Sequence, residues 1–253
     1  MEYLLIALSA FLASLVTFYS GFGLATILMP IIAIFFPLPI AIGLTAVVHL
    51  VHSLLRTGLL WKAIDWKIVI YFGIPALVAV IPGALALQTL SQFAPLKKYT
   101  VFYIQGEISI LHLCIGLLLI LFATMEMFSH KIRFKNLILG GILSGFFGGL
   151  SGNQGAIRSI FLVNTQMGKE AFIGTNALIG AVVDLFRIVI YSWSFGRLFV
   201  QIDKALFGVA IVGALAGVFL GLMLLKKVTI VFIQKIIVIL LYFLGTLLVL
   251  GII

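Results

Sequence analysis

Gly148-Gly149-Leu150-Ser151-Gly152-Asn153-Gln154-Gly155-Ala156-Ile157-Arg158-Ser159 is a glycine-rich polar break between two short apolar segments, near 137–150 and 155–165. In lipid, unpaired backbone N–H and C=O groups are so costly that irregular backbone is tolerated only against protein or a wet cavity. The break therefore points inward. A helix beginning after Gly155 aims free N–H groups and the positive end of its dipole at the gap, as half-helices that hold anionic substrates do. Arg158 falls in that helix's first turn, and its planar fork of donors suits the oxygens of a carboxylate, phosphate or sulfur oxyanion. The plainer reading is a connecting loop, with Arg158 snorkelling to a headgroup and the glycines serving close helix packing.

Composition supports a membrane reading. Apolar residues make up 64% of the 253 positions and charged ones 9%, against about half and a quarter in soluble domains. The polar gaps are too short to fold into a soluble module, so residues 1–253 are expected to form a single membrane domain. The formal charge of +9 fits orientation signals in short loops better than a nucleic-acid partner. Cys114 is the only cysteine, which excludes an internal disulfide and a multi-cysteine metal site. Met1-Glu2-Tyr3 lacks a basic start, so a retained first helix is expected in place of a cleaved signal peptide.

Apolar runs fall near 4–20, 24–36, 39–60, 68–90 and 108–128, and again near 137–150, 155–165, 170–193, 205–225 and 229–253. A shift of about 131 residues sets Ser20-Gly21 on Ser151-Gly152 and Ala25 on Ala156; nearby shifts set Thr45 on Thr175, Arg56 on Arg187 and Asp65 on Asp203. The expected fold is all-α and integral to the membrane, with about ten segments in two five-segment repeats, about 1–128 and about 136–253. The first two segments of each repeat form a broken-helix hairpin that contributes an even number of crossings. The three after it contribute an odd number, so the second repeat is inverted relative to the first. Counting Arg56, Lys62, Lys67, Lys131, Arg133, Lys135, Lys169, Lys226 and Lys227 against Lys97, Lys98, Arg197 and Lys204 marks the first group's side as cytoplasmic. Both termini then face outward.

Further residues carry candidate chemistry. Tyr19-Ser20-Gly21-Phe22-Gly23 precedes a half-helix ending at Pro30, an uncharged tip opposite the polar one. Asp184 and Arg187 share a helix face at a spacing of three; they either neutralise each other or act as a gate or proton-responsive pair. His49 and His52 also share a face, and histidine ionises near neutral pH. A metal reading of that pair is disfavoured, because no Glu or Cys accompanies it. Asn176 and Thr45, at the start of the third segments, complete a symmetric cage or bond their own helix backbone.

These residues resemble the TauE/SafE sulfite exporter family, also called the toluene sulfonate uptake permease family. The resemblance runs over nearly the whole chain: the tip with Gly21, Gly23 and Pro30, its second copy at Gly148 to Ser159, and later Asp184-Leu185-Phe186-Arg187. Phe22 and Leu24 in the first tip and Asn153-Gln154 in the second depart from the consecutive glycines of many members. The resemblance implies transport of sulfur-containing anions such as sulfite, sulfonates or sulfoacetate, without ATP.

The expectation is thus a secondary transporter of a small anion in the cytoplasmic membrane of a bacterium or archaeon, working by alternating access, with no cofactor, catalytic residue or metal. Its partners are the anion and the lipid bilayer, with homodimer formation left open. Arg158, Gln154 and Asn153 are the leading ligands, joined by Ser151, Gly152, Gly155, Ser20, Gly21, Gly23, Asn176 and Thr45. Asp184, Arg187, His49 and His52 are expected to gate or carry protons. An anion channel using the same glycine tips is the alternative. An intramembrane enzyme is disfavoured, since no nucleophile is partnered to a base.

Overall fold

The computed structural model describes residues 2–20, 23–101, 104–127, 134–199, 204–224 and 230–253. Ten helices carry them, named here in chain order. The first five are α1 (Glu2–Ser20), α2 (Leu24–Ala33), α3 (Leu38–Leu59), α4 (Trp66–Ser91) and α5 (Ile110–Met127). The second five are α6 (Leu137–Ser151), α7 (Gln154–Leu162), α8 (Lys169–Phe199), α9 (Lys204–Leu224) and α10 (Ile230–Val249). Local chemistry sets several starts. Asp65 Oδ1 caps the Ile68 N–H at 3.1 Å to open α4, and Asn136 Oδ1 caps the Leu139 N–H at 3.1 Å to open α6. Asp203, the expected counterpart of Asp65, lies outside the described residues.

α2 has 10 residues and α7 has 9, so each rises only ~15 Å, half of a ~30 Å hydrocarbon core. α3, α4, α8 and α9 are each long and apolar enough to cross. α2 does not stop at Pro30 but runs to Ala33, because a proline removes its own N–H and leaves the donors after it intact. Phe93, Leu117, Trp193 and Met223 are among the large apolar side chains left exposed, as expected of a surface that faces lipid.

Helices pack in a patterned way. α1 lies on α9 and α4 on α6, while α3 lies on α8 and α5 on α10. Glycines make two of these contacts close. Gly141, Gly145 and Gly149 of α6 sit against the backbone of Phe72, Ala76 and Val80 in α4, and Gly213 and Gly217 of α9 against Ala7 and Phe11 in α1. A Cβ at any of these positions would strike a carbonyl oxygen, so the glycine seams let the backbones approach where lipid gives no hydrophobic drive.

One element is unlike the sequence expectation. The segment between α4 and α5 is an antiparallel hairpin, β1 (Lys97–Val101) and β2 (Ile104–Ile108), pairing Lys98 with Glu107. Lys98 Nζ and Glu107 Oε2 stand 3.3 Å apart in solvent, and the Glu107 N–H donates to the Gly251 carbonyl at 2.8 Å. A second correction concerns Arg56. It is wholly buried and not a loop charge, which reduces the orientation count to eight against four without changing its sign; Lys131, Arg133, Lys226 and Lys227 lie outside the described residues.

Candidate functional site

α6 ends where Gly152 enters the left-handed region, φ 79°, with its N–H on the Gly148 carbonyl at 2.9 Å. Glycine adopts that conformation without a Cβ penalty. The chain turns at once, Asn153 is the N-cap, and α7 begins at Gln154, one residue before Gly155. Arg158 consequently sits one turn into α7 and not in its first turn. Asn153 offers no side-chain cap to the N–H groups that follow. Every residue of α7 is buried, so these free donors and the helix's positive end face the interior.

A polar chain runs from this helix into the protein. Arg158 Nε donates to Asn176 Oδ1 at 2.7 Å and its Nη1 to Gln154 Oε1 at 3.0 Å. Gln154 Nε2 donates to Asp184 Oδ1 at 2.7 Å. Arg187 reaches the same oxygen through Nε and Nη2, both at 2.8 Å, while its Nη1 approaches the Gly148 carbonyl at 3.5 Å. The other carboxylate oxygen, Asp184 Oδ2, contacts His49 Nδ1, and Ser53 Oγ stands 3.5 Å from that nitrogen. α7, α8 and α3 are thereby joined through side chains that are all buried.

Each expected residue has a definite place. Ser151 Oγ donates to the Phe147 carbonyl at 2.9 Å and accepts from Asn153 Nδ2 at 3.2 Å, leaving Asn153 Oδ1 without a partner among the described residues. Gly155 is buried in the first turn of α7. Asn176 joins the network, and its Nδ2 donates to Ser159 Oγ at 3.3 Å. Thr45 does not join it: the hydroxyl donates to the Ala41 carbonyl at 2.7 Å, within its own helix. Both Thr45 and Asn176 lie two turns inside their helices, because α3 and α8 start earlier than the polar residues suggest. Gly23 caps α2 at φ 122°. Gly21 and the side chain of Ser20 lie outside the described residues. His49 and His52 stand with ring centroids 6.1 Å apart. Neither ring nitrogen of His52 makes a well-formed hydrogen bond among the described residues, although the Ser14 backbone lies beside it.

Two participants were missed. Tyr191, wholly enclosed, donates its hydroxyl to the Gly149 carbonyl at the end of α6. Arg56 donates Nη1 to the Thr17 carbonyl at 3.2 Å, and its Nε and Nη2 have no partner among the described residues. The signal for Arg56 lay in its correspondence with Arg187. Among the described residues the buried interior thus holds three guanidiniums, Arg56, Arg158 and Arg187, against the single carboxylate of Asp184. Such an excess of enclosed positive charge is costly unless an anion answers it.

Comparison with known proteins gives one positive result: the family model described as Sulfite exporter TauE/SafE matches residues 6–248. No curated protein and no solved structure matches the chain.

Proposed function

We propose, because the chain belongs to the sulfite exporter TauE/SafE family and has several apolar helices as a multi-pass membrane protein does, that it moves a small sulfur oxyanion or organosulfonate by alternating access. The observation that carries this reading is the buried, net-cationic network at the start of α7. Arg158 Nη2 has no partner among the described residues, and the first-turn N–H groups of α7 have no side-chain cap. The anion accepts from that guanidinium and from those N–H groups, with Gln154 and Asn153 beside it.

The pattern of helix contacts supports alternating access. Exchanging each helix for the one five places along turns the α1–α9 contact into α6–α4 and returns α3–α8 and α5–α10 to themselves. That pattern supports two inverted repeats that rock about the central α3–α8 pair. The His49–Asp184 contact bridges that pair, and we assign proton coupling to it: loading or unloading a proton there changes how strongly the two helices hold each other. The protein's place is the cytoplasmic membrane of a bacterium or archaeon, with both termini outward.

Purified protein in liposomes tests the reading. Saturable, vectorial uptake of labelled sulfite or sulfoacetate is the expected result. Unsaturating currents in single-channel recordings would replace the transporter with an anion channel, and no flux of any sulfur oxyanion would remove the reading.

A further inference from the structure

α3 and α8 run antiparallel. His49 meets Asp184, and Leu60, three turns further on at the C-cap of α3, lies against Gly174, nearly three turns back along α8. By that register Arg56 falls level with Ala177, next to Asn176, whose side chain holds Arg158 at 2.7 Å. Arg56 and Arg158 thus lie at the same level of α8.

Arg187 has its charge answered, because two of its nitrogens lie 2.8 Å from Asp184 Oδ1, although the contact of Nη2 is an ion pair and not a well-formed hydrogen bond. Arg56 occupies the matching place in the first half. Each of the two arginines donates Nη1 to a carbonyl 39 residues before it, Thr17 for Arg56 and Gly148 for Arg187. Three residues before Arg187 stands Asp184; three before Arg56 stands Ser53. The first half has the arginine without the carboxylate. Once Arg187 and Asp184 cancel, Arg56 and Arg158 remain, both wholly buried and both with donors unpartnered among the described residues.

We propose that Arg56 and Arg158 form one clamp for an oxyanion carrying two negative charges, with His52 beside it, so that Arg56 sets a preference for dianions over monoanions and zwitterions. This rests on the transport reading above and adds a specificity-determining residue to it. Sulfite above its second ionisation presents both charges on one group, and sulfoacetate presents a sulfonate to one guanidinium and a carboxylate to the other. Methanesulfonate offers a single charge, and taurine has no net charge.

The test measures the affinity of the purified protein for sulfite, sulfoacetate, methanesulfonate and taurine at one pH and ionic strength. The parent should bind the two dianions about tenfold or more tightly than methanesulfonate, the yield of added charge-assisted hydrogen bonds. Arg56→Gln should weaken the two dianions by about tenfold more than methanesulfonate, so that the preference for dianions is lost. If Arg56→Gln does not fold, Arg56→Lys takes its place. A point charge without the fork should weaken dianion binding by about fivefold more than methanesulfonate binding. Equal binding of mono- and dianions by the parent, or an undiminished dianion preference in the variant, overturns the clamp alone. Binding of none of these anions by the parent overturns the transport reading as well.

Discussion

Arg56 and Arg187 make the same contact in opposite halves of the chain: each guanidinium donates to a carbonyl of the helix that precedes the break in its own half, at 3.2 Å and 3.5 Å. In each half this ties the third helix to the end of the first, just before the chain turns into its short helix. The halves differ in how the charge is answered. Asp184 neutralises Arg187, whereas Arg56 has only the Thr17 carbonyl among the described residues. On the proposed reading, that difference in charge holds the anion nearer Arg158 than Arg187.

Asp184 is the acceptor that Arg187, Gln154 and His49 share. Breaking a buried ion pair by removing one partner costs about 3–5 kcal/mol. Asp184→Asn should therefore melt well below the parent in detergent, and adding Arg187→Met should recover part of the loss. Static light scattering during a thermal ramp reads both, and an unchanged melting point for Asp184→Asn would mean the pair does not stabilise the fold.

His49 is the titratable partner of Asp184 across α3 and α8. With His49→Gln, anion exchange at equal pH should persist while accumulation driven by an imposed pH gradient is lost. Proteoliposome uptake with and without the gradient separates the two. Undiminished gradient-driven accumulation would take His49 out of coupling.

Gly145 sits against the Ala76 backbone, with Gly141 and Gly149 as tightly placed on either side. Overpacking costs about 1–3 kcal/mol, and α6 cannot move away at one point without opening the whole seam. Gly145→Ala should lower the melting temperature and Gly145→Val should abolish a monodisperse preparation. Gly208, where an added Cβ would meet nothing within 4 Å, is the control, and Gly208→Ala should leave the melting temperature where it was. Size-exclusion profiles decide, and a normal profile for Gly145→Val would deny the seam its role.

Much of this arrangement is legible in the sequence because lipid imposes strict rules. Backbone groups must be paired within a helix, so the break at Gly152-Asn153 announces itself, and the excursions of apolar length give the helices to within a few residues. The cluster around Arg158 was likewise readable as polar residues with no reason to face lipid. The hairpin at 97–108 was hidden because it falls in the gap between the apolar runs 68–90 and 108–128, and one of its N–H groups, that of Glu107, bonds to Gly251 at the far end of the chain. Arg56 was misread since a basic residue near the end of an apolar run looks like a loop charge. Only the tertiary packing of α3, foremost against α8, encloses it. The hydroxyl of Thr45 shows the opposite limit: spacing offers it to the site, but the nearest acceptor is its own helix.

The central claim, that an oxyanion is held at the start of α7 by Arg158, is tested most directly by thermal stabilisation of the purified protein across sulfite, sulfate, sulfoacetate, taurine, phosphate and short carboxylates. A ligand that binds only the folded state raises the melting temperature in proportion to its saturation. The account predicts stabilisation of the parent by a sulfur oxyanion and its loss in Arg158→Gln. Stabilisation of both chains to the same extent, or of neither by any anion, would contradict it.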